Sequence, residues 1–159
     1  MSAGNQGLNP DKPFPMRRAL ELARLAGGAG EVPVGGVIVD AGGAIVAEAS
    51  NAMRAGHDPT AHAEMSAIRL ACQRLHTERL VGHDLYVTLE PCAMCAAAIS
   101  FARIRRLYFG APDPKQGAVE HGPRYFSQPT CHHAPQVYGG LSEAEAGALM
   151  RDFFAGRRG

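Results

Sequence analysis

The chain has 159 residues, of which 46% are hydrophobic and 19% charged, and its formal net charge is +1. That length favours one domain and can bury a core without help from disulfides, and the composition excludes a disordered chain. The near-neutral balance argues neither for nor against a nucleic-acid partner, so any RNA contact must come from local basic clusters.

Residues 1–159 read as a single domain with no internal repeat, and about 1–12 are expected to be disordered. The stretch Met1 to Lys12 is polar and lacks the apolar segment of a signal peptide, and no apolar run reaches membrane-spanning length. A soluble, cytoplasmic protein is expected. Pro13 and Pro15 precede a helical pattern with Met16, Ala19, Leu20, Ala23 and Ala26 on one face, closed by Gly27 and Gly28. Val32 to Val39 reads as a strand, Asp40 to Gly43 as a turn and Ala44 to Ala49 as the returning strand of a hairpin. After a loop from Asn51 to Thr60, Asp58-Pro59 supplies a capping residue and a first-turn proline, predicting a helix from there to about Leu75.

Leu85 to Leu89 is a short strand. Pro91 opens a helix, Cys92 to Ala102, which is apolar nearly all round and is therefore expected to be buried. Arg105 to Phe109 is a further strand, and Gly110 to Pro135 is an irregular segment long enough to suggest function. Gln136 to Tyr138 reads as a short strand. Ser142, with Glu145 completing a capping box, starts a last helix ending near Gly156. This alternation points to an α/β fold, a mixed sheet with helices packed on its faces.

Two short segments concentrate the chemistry: His62-Ala63-Glu64 and Glu90-Pro91-Cys92-Ala93-Met94-Cys95. Cys92 and Cys95 fall three residues apart at the start of a helix, so both sulfurs can face one point where the helix dipole favours thiolate. With His62 they make three protein ligands, the donor set of a catalytic zinc site with one position open. Glu64 is spaced to reach a zinc-bound water without ligating the metal. Zinc brings its water toward a neutral pKa, and a neighbouring carboxylate can shuttle protons, so an aromatic amidine carbon is the natural target.

The bland readings of these residues are structural zinc or a redox Cys pair. A closed structural site needs a fourth ligand, which Cys131, His132 or His133 could supply. A redox pair leaves His62 and Glu64 unexplained. Cys72, mid-helix among apolar residues, reads as a buried core thiol. The basic clusters are Arg17 with Arg18, Arg103 with Arg105 and Arg106, and Arg157 with Arg158. The last pair is expected to help hold RNA, because it follows an aromatic pair on the final helix.

His-x-Glu followed by Pro-Cys-x-x-Cys is the signature of the zinc nucleobase deaminases. Over Pro15 to Arg158 the chain resembles the bacterial tRNA-specific adenosine deaminases of the cytidine deaminase-like superfamily. The resemblance rests on Glu31-Val32-Pro33-Val34-Gly35, the run His57 to Glu64, the run Leu85 to Cys92, Cys95 to Ile99, Tyr108 to Ala111, and Asp152-Phe153-Phe154. It implies a three-layer α/β/α sandwich with a mixed five-stranded sheet, and a homodimer. It also implies one Zn2+ per subunit on His62, Cys92 and Cys95. Zinc-bound hydroxide would attack C6 of a wobble adenosine in a tRNA anticodon stem-loop, mainly that of arginine tRNA, with Glu64 as proton shuttle. Asn51 matches the asparagine that contacts the flipped nucleoside, and Phe154 an aromatic near the anticodon loop. The segment Glu120 to Gly140 departs from the commonest pattern of the family. A deaminase of a free base or nucleoside, such as guanine or cytosine, and a non-enzymatic RNA-binding module with structural zinc are the competing readings.

Overall fold

A computed structural model describes residues 13–158; the disorder expected of residues 1–12 lies outside the described residues. The elements run α1 (Phe14–Gly28), β1 (Gly35–Val39), β2 (Ile45–Ser50), α2 (Ala63–Leu75), β3 (Asp84–Leu89), α3 (Ala93–Phe101), β4 (Arg106–Ala111), β5 (Gln136–Tyr138) and α4 (Glu143–Arg158). The strands form one five-stranded sheet in the order β2-β1-β3-β4-β5. β1 pairs antiparallel with both β2 and β3, whereas β3, β4 and β5 are parallel. No described helix is long and apolar enough to cross a membrane.

Strand alternation sorts the core into two layers. Ile38, Leu85, Val87, Leu107 and Phe109 face Ala67, Ile68 and Ala71 of α2 and Ile99 of α3. Val37 and Val39 point the other way, onto Met16, Ala19 and Leu20 of α1, with Ala146 of α4 in the same cluster. The molecule is therefore a three-layer α/β/α sandwich of the expected class. Burying each of the large core side chains stabilises it by roughly 1.5–3 kcal/mol. α1 crosses β1 so closely that a Cβ on Gly35 would sit 2.0 Å from the carbonyl oxygen of Ala19. Only glycine fits that crossing.

Several boundaries differ from the sequence reading, for local reasons. β1 begins at Gly35, not Val32, because Pro33 offers no N–H and the Val34 N–H turns back to the Val32 carbonyl at 2.9 Å. α2 begins at Ala63, because the Asp58 carboxylate accepts the N–H and O–H of Thr60 at 2.8 and 2.7 Å and closes a turn of its own. Ser142 adopts φ 58°, and its buried hydroxyl makes no capping bond, so the expected box does not form there. Glu145 pairs with Arg24, tying α4 to α1. α3 buries Cys95, Ala96, Ile99 and Ser100 but leaves Phe101 72% exposed, so the helix is covered on one side only. Cys72 is half-buried at the edge of the core.

Candidate active site

The N-termini of α2 and α3 converge beyond the carboxyl end of β3, where open α/β sheets commonly hold ligands. His62 is the N-cap of α2 and Cys92 the N-cap of α3, both with extended backbone, and Cys95 lies in the first turn of α3. His62 Nδ1 lies 3.6 Å from Cys92 Sγ and 3.5 Å from Cys95 Sγ. The three ligand atoms all fall within 4.8 Å of one another. Tetrahedral zinc with ordinary Zn–S and Zn–N bonds requires sulfur and nitrogen to stand roughly 3.5–3.6 Å apart. The spacing of the imidazole nitrogen from both sulfurs therefore suits the ion.

The electrostatics agree with a thiolate site. Hydrogen bonding from Cys95 and, against the cost of burial, from His62 brings the Cys92 thiol down to about 4. The Cys92 thiolate and burial push Cys95 up, so without a cation the two thiols do not both ionise. The hydrogen bond to Cys92 raises His62. A divalent cation among the three groups resolves this competition by favouring both thiolates and a neutral imidazole.

Glu64 lies in the first turn of α2, 4% exposed, on the wall of the same cavity as His62 and Cys92. Burial pushes its carboxyl up to about 7, so near neutrality it can both take up and release a proton. The cavity is about 300 Å³ and is also lined by Val34, Asn51, Met53 and Leu89. Asn51, 6% exposed, accepts the Ala63 N–H on its Oδ1 at 2.8 Å. That commitment caps α2 and turns the amino group of the same amide away as a donor. Glu31, 5% exposed, accepts the N–H groups of Arg54 and Ala55 at 3.2 and 2.8 Å, fastening the loop that carries Asn51 and Met53.

A second cavity of about 710 Å³ adjoins the first, sharing Leu89, Asp113, Lys115, Met150 and Phe154. Phe154 is 43% exposed on α4, so it lines the cavities and is not a core anchor. The Arg157 guanidinium lies 4.8 Å over the Phe153 ring; the side chain of Arg158 is outside the described residues. Each of the other two basic clusters has a member held by a carboxylate elsewhere. Arg18 pairs with Glu48 at 2.7 Å and Arg105 with Asp84 at 2.9 Å. Asp84 begins the strand whose far end reaches the site.

Cys131, His132 and His133 do not join the metal cluster. The Cys131 thiol lies 3.5 Å from Ser100 Oγ and donates to the His133 carbonyl, while His133 Nε2 reaches the Ile104 carbonyl at 2.7 Å. The run ties its loop to the end of α3. Among the described residues, His62, Cys92 and Cys95 are the one group of three or more potential ligands, so the structure supplies no fourth ligand for a closed site. Sequence reasoning did not single out Met53, Asp113, Lys115, Gln116 or Met150 as cavity walls. The turn-forming residues Asp113-Pro114-Lys115 directly after β4 are a signal that could have found part of this wall; Met53 and Met150 carry none.

Residues 11–111 match the model of the cytidine and deoxycytidylate deaminase zinc-binding region. The chain is 61% identical over 143 residues to the tRNA-specific adenosine deaminase of Agrobacterium fabrum, covering 90% of this chain and 93% of that protein. It is 45% identical over 140 residues to the tRNA-specific adenosine deaminase of Rickettsia bellii, covering 87% and 97%. Among solved structures it resembles a tRNA:A34 deaminase of A-to-I editing at the wobble position, with TM-score 0.83, 61% identity and 85% and 97% coverage. It also resembles the guanine deaminase of Nitrosomonas europaea, with TM-score 0.74, 25% identity and 92% and 85% coverage. The chain is thus a zinc enzyme of the cytidine and deoxycytidylate deaminase family and belongs to its tRNA-specific adenosine deaminases.

Proposed function

We propose that this chain removes the exocyclic amine of the wobble adenosine in a tRNA anticodon, chiefly that of arginine tRNA, releasing ammonia and leaving inosine. The observation that carries this reading is the meeting of a three-ligand zinc cluster with the buried carboxylate of Glu64 in one cavity. Held by His62, Cys92 and Cys95, zinc supplies a water of lowered pKa and hence a nucleophile near neutrality. Glu64 takes a proton from the attacking water and passes it to N1 as the C6–O bond forms. It then takes the remaining proton from the oxygen now on C6 and delivers it to the amine, so that the C6–N bond breaks as the C6 carbonyl forms and ammonia leaves. Asn51 offers its amino group to the nucleoside, and Phe154 offers a stacking face to a neighbouring loop base. The target base must leave its stack to enter the cavity. The adjoining cavity of about 710 Å³ gives flanking nucleotides room beyond the base, which favours an RNA over a free base. In this reading the enzyme meets its tRNA in the cytoplasm.

The test is an inosine assay on zinc-loaded protein. An arginine-tRNA anticodon stem-loop with wobble adenosine is compared with free adenosine, cytidine, cytosine and guanine. Inosine is expected in the RNA alone; ammonia from a free base with the RNA untouched would move the substrate to a small molecule.

The enzyme works as a homodimer in this reading. The support is the end of α3, where Phe101 is 72% exposed and Val81 71%, each the chain neighbour of one partner in the Leu80–Ala102 backbone hydrogen bond of 2.6 Å. Exposed large apolar groups this close together suit a partner surface. Phe101→Glu is expected to give the monomer mass by light scattering with an unchanged fold by circular dichroism. A dimer of undiminished affinity would place the interface elsewhere.

A further inference from the structure

Glu90 directly follows β3, two residues before the first cysteine ligand, and it lines the catalytic cavity, yet the hydrogen bonds of its carboxylate all run to the next loop. It is 2% exposed. Its Oε1 accepts the Asp113 N–H at 2.9 Å and lies 2.8 Å from His121 Nδ1. Its Oε2 accepts the N–H groups of Val119, Glu120 and His121 at 3.1, 2.9 and 3.2 Å. One carboxylate thus gathers five donors from the two ends of a single loop. Between those ends the loop presents Asp113, Lys115 and Gln116 to the catalytic cavity.

Two further features belong to the same arrangement. The backbone of Cys92 bridges to Gly117, and the Ala118 N–H reaches the Pro91 carbonyl at 2.9 Å, so the loop is seated against the ligand-bearing segment. A Cβ on Gly117 would lie 2.5 Å from both Cδ and Oε2 of Glu90. The position therefore has to be glycine for the carboxylate to stay where it is.

We infer that Glu90 is a positioning residue for RNA: its buried carboxylate holds the 113–121 loop in the shape that lays Asp113, Lys115 and Gln116 along the substrate. The alternative, a carboxylate that merely supports the metal segment, does not account for all five donors coming from the loop. A buried acceptor with its donors fixed in place cannot be replaced by a group that also donates without leaving N–H groups unpaired. This inference rests on the reading of the cavity as the deaminase site.

The experiment uses full-length, zinc-loaded protein carrying Glu90→Gln, which keeps the shape but turns one acceptor into a donor. Three quantities are measured: zinc content, steady-state inosine formation on the anticodon stem-loop, and hydrogen exchange at the amides of Val119, Glu120 and His121. Zinc should stay at the wild-type level. The three amides should exchange faster. KM should rise on the order of tenfold or more while kcat changes by less than about threefold, the pattern of lost substrate positioning. Unchanged exchange or an unchanged KM overturns the inference, and loss of zinc overturns it by assigning Glu90 to the metal segment. Should Glu90→Gln not fold, Gly117→Ala displaces the intact carboxylate and is judged by the same readouts. Should both fold, the double variant is expected to be no worse than either single one, because both break the same clamp; additive losses count against it. Wild-type protein that makes no inosine would sink the tRNA reading, whereas amide protection tests the clamp without any substrate.

Discussion

Glu64→Gln is expected to leave the zinc bound, keep the fold and lower inosine formation by about 10²- to 10⁴-fold, the usual worth of a positioned acid–base group. Glu64 shares a cavity wall with His62 and Cys92 but is absent from the ligand cluster, so removing its charge should not release the metal. Gln keeps the volume and the packing but can neither accept the water's proton nor deliver one to the ring. Because the reading asks Glu64 to act in both proton transfers, the loss should fall on kcat more than on KM.

The same substitution has a second expected result in the opposite direction. A carboxylate raised to about 7 by burial is one that the fold holds against its own preference for water. Replacing it with a neutral amide should therefore leave the melting temperature of the chelated, zinc-free protein unchanged or raise it, as often happens when a functional group is sacrificed. Zinc analysis, thermal melting and inosine formation on one preparation decide the matter. Activity within tenfold of wild type would remove Glu64 from the proton path. Loss of zinc together with activity would make it a ligand.

The parts of this molecule that were legible in its sequence are those set by short-range geometry. Cys92 and Cys95 are brought together by a single helical turn, and the structure seats them there. The apolar run around Val37 to Val39 marked a strand, and because that strand is covered on both faces Val37 and Ile38 point to opposite cores. What could not be read depends on distant partners. The start of α2 hinges on whether Asp58 caps a helix or bonds Thr60, and both are local, plausible choices. The path of the 113–121 loop is set by a carboxylate between 23 and 31 residues earlier in the chain, a separation that leaves no periodic trace. Uniform apolarity in α3 signalled burial, but the described residues cover only one side of it and leave Phe101 72% exposed.

Cys92→Ala should cost the metal, the activity and part of the stability together. His62 and Cys95 would remain 3.5 Å apart, a two-ligand site. Structural zinc sites bind with about 10–16 kcal/mol shared among their ligands, so one thiolate is worth roughly 3–4 kcal/mol, or about 10²- to 10³-fold in zinc affinity. Because the folded protein binds the ion and the unfolded chain holds it poorly, the wild type should melt higher with zinc than after chelation. In Cys92→Ala that gap should close. Cys131→Ala is the matched control: its thiol bonds Ser100 and the His133 carbonyl, away from the cluster, so zinc content and the chelator-sensitive melting shift should be retained. Zinc release to a chromophoric chelator measures the affinity directly. A Cys92→Ala protein that kept stoichiometric zinc and full activity would overturn the ligand assignment. One that lost zinc only when Cys131 was also removed would revive a four-ligand structural site, with the loop closing onto the metal.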